Sequence, residues 1–124
     1  MNVKPVGLHI IADLHGIDES LISNSYTIQN ILEEAVEYSN LTKINSHYHQ
    51  FYPKGVTGVI VLAESHISIH TWPEHNLATI DIYTCGDITK AEICFNYIVD
   101  KLDATITNLH VIKRGFIVNN FDFS

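Results

Sequence analysis

His66-Ile67-Ser68-Ile69-His70-Thr71-Trp72 alternates between two kinds of side chain. Ile67, Ile69 and Thr71 share one face of an extended segment and Ser68, His70 and Trp72 share the other, so one side serves a core and the other is free to form a site. Strands are predicted on either side of it, at 57–64 and 77–84, the second set off by the turn residues Pro73-Glu74-His75-Asn76. Farther upstream, Pro53-Lys54-Gly55 closes a strand at 43–52 in which His47, His49 and Phe51 share a face. Ser65 has the wrong parity to stand beside His70 on a regular strand, so a bend or bulge with a strained backbone is expected at 64–65.

Outward from this centre the periods complete the fold. Residues 7–15 alternate, with Leu8, Ile10, Ala12 and Leu14 opposite His9, Asp13 and His15, which predicts another half-buried strand. From Asp18 to about Ser39 the spacing turns helical, with Leu21, Ile28, Leu32 and Ala35 as the apolar stripe and Glu33, Glu34 and Glu37 around them. A second helix is predicted over 89–102, opened by Thr89-Lys90-Ala91-Glu92 as a capping box and striped by Ala91, Phe95, Ile98 and Leu102. A last strand is expected at 106–113. The order β-α-β-β-β-β-α-β is best served by an α+β, two-layer sandwich: an antiparallel sheet with helices packed on one face. With no repeat, low-complexity stretch or linker in its way, the chain reads as one domain over 1–124.

Composition narrows the function. A net charge of −7 with only seven Lys and Arg argues against a nucleic-acid surface, and is compatible with a cationic ligand. Hydrophobic residues make up 46% and charged ones 17%, which fits neither a disordered tail nor a membrane protein. No apolar run approaches the ~20 residues of a membrane span, and Met1-Asn2-Val3-Lys4-Pro5 lacks the apolar core of a secretion signal, so a cytoplasmic protein is expected. Cys85 and Cys94 are too few for a disulfide framework and suit a reducing compartment.

Leu62-Ala63-Glu64-Ser65-His66-Ile67-Ser68-Ile69-His70-Thr71-Trp72-Pro73-Glu74 and Tyr83-Thr84-Cys85-Gly86-Asp87, with Gly7–Leu14 and Phe51–Val59 before them, resemble the short prokaryotic S-adenosylmethionine decarboxylase proenzymes. The resemblance implies the same two-layer fold and a chain that cuts itself between Glu64 and Ser65, giving a beta chain 1–64 and an alpha chain 65–124. Ser65 would become a covalent pyruvoyl group, the only cofactor implied, with no metal. That group forms a Schiff base with S-adenosylmethionine and takes up the electrons left as CO2 departs, giving the aminopropyl donor for spermidine synthesis. His70 matches the family's proton acceptor in processing, and Thr57 stands where its pattern has a serine hydroxyl. Cys85 matches the proton donor in decarboxylation. Phe51 and Trp72 match the rings that sandwich adenine, and Glu74 the carboxylate that holds the ribose. A homodimer of cleaved protomers is implied, with at least one of Phe51, Trp72 or Glu74 facing the partner's Ser65.

Each residue alone has a plainer reading: a strand-end serine, a satisfied histidine, a small buried cysteine, a tryptophan packed at a turn. Three other functions stay open. The same pyruvoyl scaffold can serve arginine or ornithine decarboxylation, with the three binding residues favouring the nucleoside. A processing-dead regulatory subunit is disfavoured by the presence of Ser65, His70 and Cys85. A histidine-rich metal-binding module rests on eight histidines, with His47 and His49, or His66 and His70, at zinc-compatible strand spacings.

Overall fold

Alternation becomes geometry in β4, Ser65–Trp72, where Ile67, Ile69 and Thr71 are buried and His70 and Trp72 exposed. The computed structural model of the chain describes residues 5–117. Besides β4, its strands are β1 (Pro5–His15), β2 (Lys43–Gln50), β3 (Val56–Leu62), β5 (Leu77–Thr84) and β6 (Thr105–Phe116). They form one six-stranded antiparallel sheet in the order β2-β3-β4-β5-β1-β6. The helices are α1 (Glu19–Ile22), α2 (Ser25–Tyr38) and α3 (Ile88–Lys101), and a single 3-10 turn covers Pro73–His75.

The second layer is set by the apolar stripes. Ile28, Leu32 and Ala35 of α2 and Ala91, Phe95 and Ile98 of α3 are buried with Ile60, Ile69, Ile80, Ile82, Ile10 and Leu14 of the sheet. Each fully buried aliphatic side chain of this kind contributes about 1.5–3 kcal/mol of transfer free energy, so this one face holds the fold together. Helices cover it, and the opposite face, with His66, Ser68, His70 and Trp72 of β4, is left open. The expected α+β two-layer arrangement is the one observed.

Three local expectations are corrected. The single helix expected from Asp18 to Ser39 is two, because Asn24 adopts an extended backbone and its side chain accepts the Thr27 N–H at 2.9 Å, capping α2 afresh. Gln50 reinforces the break by accepting from the Ser25 N–H and donating to the Ser23 carbonyl. For α3 the cap is Asp87, whose carboxylate accepts from the Thr89 N–H at 2.8 Å, so Thr89 already lies inside the helix and opens no capping box. No bulge occurs at 64–65. Ala63 and Glu64 form a two-residue hairpin loop that sets Leu62 opposite Ser65, and the β3–β4 register then runs regularly to Thr57 opposite His70. Ser65 therefore keeps the parity of Ile67 and Ile69, on the helix side.

Cys94 sits on the buried stripe of α3, where loss of water pushes its thiol up to about 11. Between the ordinary thiol value of 9.0 and about 11 the unfolded chain binds fewer protons than the folded one, so this residue makes stability fall as pH rises through that window. Cys94→Ala should flatten the decline in urea-unfolding free energy from pH 9 to 11, and iodoacetamide at pH 8 should label exposed Cys85 and spare Cys94 in the native protein.

Candidate active site

The β3–β4 loop brings Glu64 and Ser65 against the end of β5. Cys85 donates its backbone N–H to the Glu64 carbonyl oxygen at 2.9 Å. Opposite Ser65 in the β4–β5 register stands Thr84, whose buried Oγ1 accepts the Ser65 hydroxyl at 2.9 Å and the Gly86 N–H at 3.0 Å. A side chain at Gly86 would begin 2.6 Å from the Glu64 carboxylate, so only glycine leaves that carboxylate its place. Glu64, Ser65, Thr84 and Gly86 line a cavity of about 230 Å³ shared with Asp87 and Lys90. Next to it the Cys85 thiol is exposed and donates to the Tyr83 hydroxyl at 3.5 Å.

A second cluster gathers at the other end of the same strand. Thr57 Oγ1 and His70 Nδ1, paired across β3 and β4, are 3.2 Å apart. Phe51, Thr57, His70, Trp72 and Glu74 line a cavity of about 320 Å³. Phe51 and Trp72 are 48% and 39% exposed, large rings left free to stack on a planar ligand. Thr71, on the reverse face, pins this end by accepting the Val56 N–H at 2.9 Å and donating to the Ile22 carbonyl at 2.7 Å. Asn76, in the left-handed region at φ 52, secures the turn that carries Glu74 by donating to the Ile17 carbonyl and accepting the Ile17 N–H.

The eight residues singled out from the sequence thus fall into two groups. Glu64, Ser65 and Cys85 stand at one end of the sheet and Phe51, Thr57, His70, Trp72 and Glu74 at the other. Five residues of regular strand separate Ser65 from His70, about 17 Å, and the two side chains leave opposite faces. Within one chain His70 does not reach Ser65.

Between the two ends lies a polar cluster that the sequence reading passed over. Asp81 Oδ1 is 3.2 Å from His9 Nε2 and 3.4 Å from His66 Nε2, and Asp81 Oδ2 accepts from Ser68. Arg114 donates to His9 Nδ1 at 2.9 Å. Because that nitrogen accepts, a neutral His9 carries its proton on Nε2 and donates it to Asp81, an arrangement wired for hydrogen bonding. Among the described residues His9, His66 and Asp81 are the group whose metal-type donor atoms converge. Of the pairings expected from sequence, His66 and His70 lie about 13 Å apart along β4, too far to share an ion. Only the pairing of β1 with β5 brings His9 and Asp81 together, and no sequence spacing announces it.

The family described as S-adenosylmethionine decarboxylase matches residues 8–115, a range that holds both clusters. The chain belongs to the S-adenosylmethionine decarboxylase family. The S-adenosylmethionine decarboxylase proenzyme of Aquifex aeolicus (strain VF5) is 55% identical over 114 residues, covering 92% of this chain and 84% of that one. Its namesake from Thermoplasma acidophilum is 53% identical, covering 91% and 86%. That from Archaeoglobus fulgidus is 47% identical, covering 89% and 98%. The crystal structure of the adenosylmethionine decarboxylase from Aquifex aeolicus VF5 superposes with a TM-score of 0.88 at 52% identity, covering 96% of this chain and 98% of that chain.

Thr71 makes the far cluster testable by stability. Thr71→Val keeps the volume but leaves the Val56 N–H and the Ile22 carbonyl without their buried partner, and should lower unfolding free energy by about 1–3 kcal/mol in urea titration.

Proposed function

We propose that the chain is a self-cutting proenzyme that breaks its Glu64–Ser65 bond, converts Ser65 to a pyruvoyl group and then decarboxylates S-adenosylmethionine. One observation carries the reading: at that bond both reacting groups are held, the Glu64 carbonyl by the Cys85 N–H and the Ser65 hydroxyl by Thr84. The N–H stands where negative charge develops when the carbonyl is attacked.

Ser65 Oγ attacks the Glu64 carbonyl carbon. The C–N bond breaks, the hydroxyl proton ends on the Ser65 nitrogen, and an ester replaces the amide. His70, an imidazole suited to proton transfer near neutral pH, removes the Ser65 α-proton. The Cβ–Oγ bond then breaks, so that Glu64 leaves as a carboxylate carrying the former serine oxygen. The dehydroalanine left at 65 tautomerises to an imine, and water hydrolyses it with loss of ammonia. Thr57, hydrogen-bonded to His70, orients that base, and its hydroxyl serves where the family pattern has serine.

The site leaves room for the group it would make, since Ser65 opens onto one cavity and Cys85 lines a neighbouring one, with Thr84 and Gly86 common to both. When formed, the pyruvoyl group held at position 65 would supply a carbonyl for a substrate amine and a sink for the electrons released as CO2 departs. Phe51 and Trp72 stack the adenine and Glu74 accepts from the ribose hydroxyls. The Cys85 thiol gives its proton to the substrate carbon.

These roles lie about 17 Å apart in one chain, which supports a homodimer with shared sites. The open face presents Val59, Val61, Trp72 and Ile112 among its polar groups, more apolar surface than a solvated sheet face needs. A two-fold axis crossing the strands sets the Ser65 end of one copy against the His70 end of the other, twice per particle. Two unpaired cysteines suit the reducing cytoplasm as the place of work. No helix among the described residues is long and apolar enough to cross a membrane.

Mass spectrometry of the purified protein should find residues 1–64 ending in Glu64 and residues 65–124 with a pyruvoyl-blocked N-terminus, while Ser65→Ala stays one chain. An uncut wild type that releases CO2 would overturn the mechanism. Carboxyl-labelled S-adenosylmethionine, arginine and ornithine assayed side by side should yield labelled CO2 from the first alone.

Co-expression tests the shared site. His70→Ala alone should remain uncut, but beside Ser65→Ala it should be cut by the imidazole of the other copy. A His70→Ala chain that is cut on its own removes that base, and one left uncut in the mixture removes the sharing.

A further inference from the structure

We propose that Thr84 is a positioning residue for the self-cutting step, its hydroxyl holding the Ser65 nucleophile in one orientation at the bond to be broken. The inference rests on the reading of Glu64–Ser65 as that bond. Thr84 Oγ1 is almost wholly buried and takes two donors, Ser65 Oγ at 2.9 Å and the Gly86 N–H at 3.0 Å. The main-chain donor fixes where the acceptor sits, and the acceptor in turn fixes the rotamer of Ser65. Because Ser65 donates in this bond, the lone pairs of its Oγ stay free for attack.

The neighbouring residue completes the device. Cys85 grips the Glu64 carbonyl through its N–H, and the peptide joining Thr84 to Cys85 is a planar, rigid unit. Nucleophile and electrophile are therefore set relative to one another by two consecutive residues, which is how a chain holds reacting groups near their attack geometry. The role belongs to maturation: once the cut is made, the serine oxygen has left residue 65 as part of the Glu64 carboxylate, and Thr84 has lost its partner there.

The test compares Thr84→Val and Thr84→Ser in the full chain, following cleavage by denaturing electrophoresis and then measuring turnover per pyruvoyl group, titrated chemically. Thr84→Val should cut about tenfold more slowly or worse, the scale of one lost orienting hydrogen bond, and Thr84→Ser should stay within about threefold of wild type. Turnover per matured site should fall by a smaller factor than the cutting rate. The role is overturned if Thr84→Val cuts at the wild-type rate, if serine fails to rescue, or if cutting and turnover fall equally. Should circular dichroism show that Thr84→Val misfolds, Thr84→Ala replaces it: slow alanine beside fast serine supports the role, and equal rates overturn it. A wild type that is never cut defeats the underlying reading as well, whereas a cut wild type with indifferent variants defeats Thr84 alone.

Discussion

Everything at the Ser65 end of the sheet depends on a two-residue loop. Ala63 and Glu64 leave no slack between β3 and β4, so Leu62 must face Ser65 and every later pair is fixed in turn. One residue more would carry Ile67 and Ile69 out of the core and His70 into it. Burial of the isoleucines thus enforces the register, and the register delivers Ser65 to Thr84 with the Glu64 carbonyl under the Cys85 N–H.

The same register keeps the two halves of the proposed chemistry apart. A regular strand offers two faces and a fixed rise, and β4 uses both: Ser65 at one end toward the helices, His70 and Trp72 at the other toward the open side. Asp81, hydrogen-bonded to His9 and Ser68 and 3.4 Å from His66 Nε2, lies midway between them and ties β1, β4 and β5 together across that open side. Such a satisfied network resists shear of one strand against the next, and so keeps the spacing between the halves constant.

The strands were legible because isoleucine and valine alternate with polar residues, and the apolar stripes of α2 and α3 were legible for the same reason at a different period. The break at Asn24 was hidden because its cause is partly tertiary: Gln50, far along the chain, binds both sides of it. The bulge looked necessary only while Ser65 and His70 were required to meet in one protomer. Motif order located Ser65, His70 and Cys85, yet Thr84, lying inside the same motif, drew no notice because a threonine in a strand is ordinary. Its function shows only in what its oxygen accepts.

Sheet order gives the proposed cut a further meaning. The front piece, 1–64, brings β1, β2 and β3, and the back piece brings β4, β5 and β6, but the sheet reads β2-β3-β4-β5-β1-β6. β1 of the front piece is threaded between β5 and β6 of the back piece, and β3 is zipped to β4. The pieces are interleaved like the fingers of clasped hands. Neither can peel away from an edge without first breaking two ladders on β1 and a third at the cut itself. With the backbone cut at the hairpin as proposed, three strand ladders would still join the pieces, and unfolding would become a separation of two chains, with a midpoint that depends on concentration.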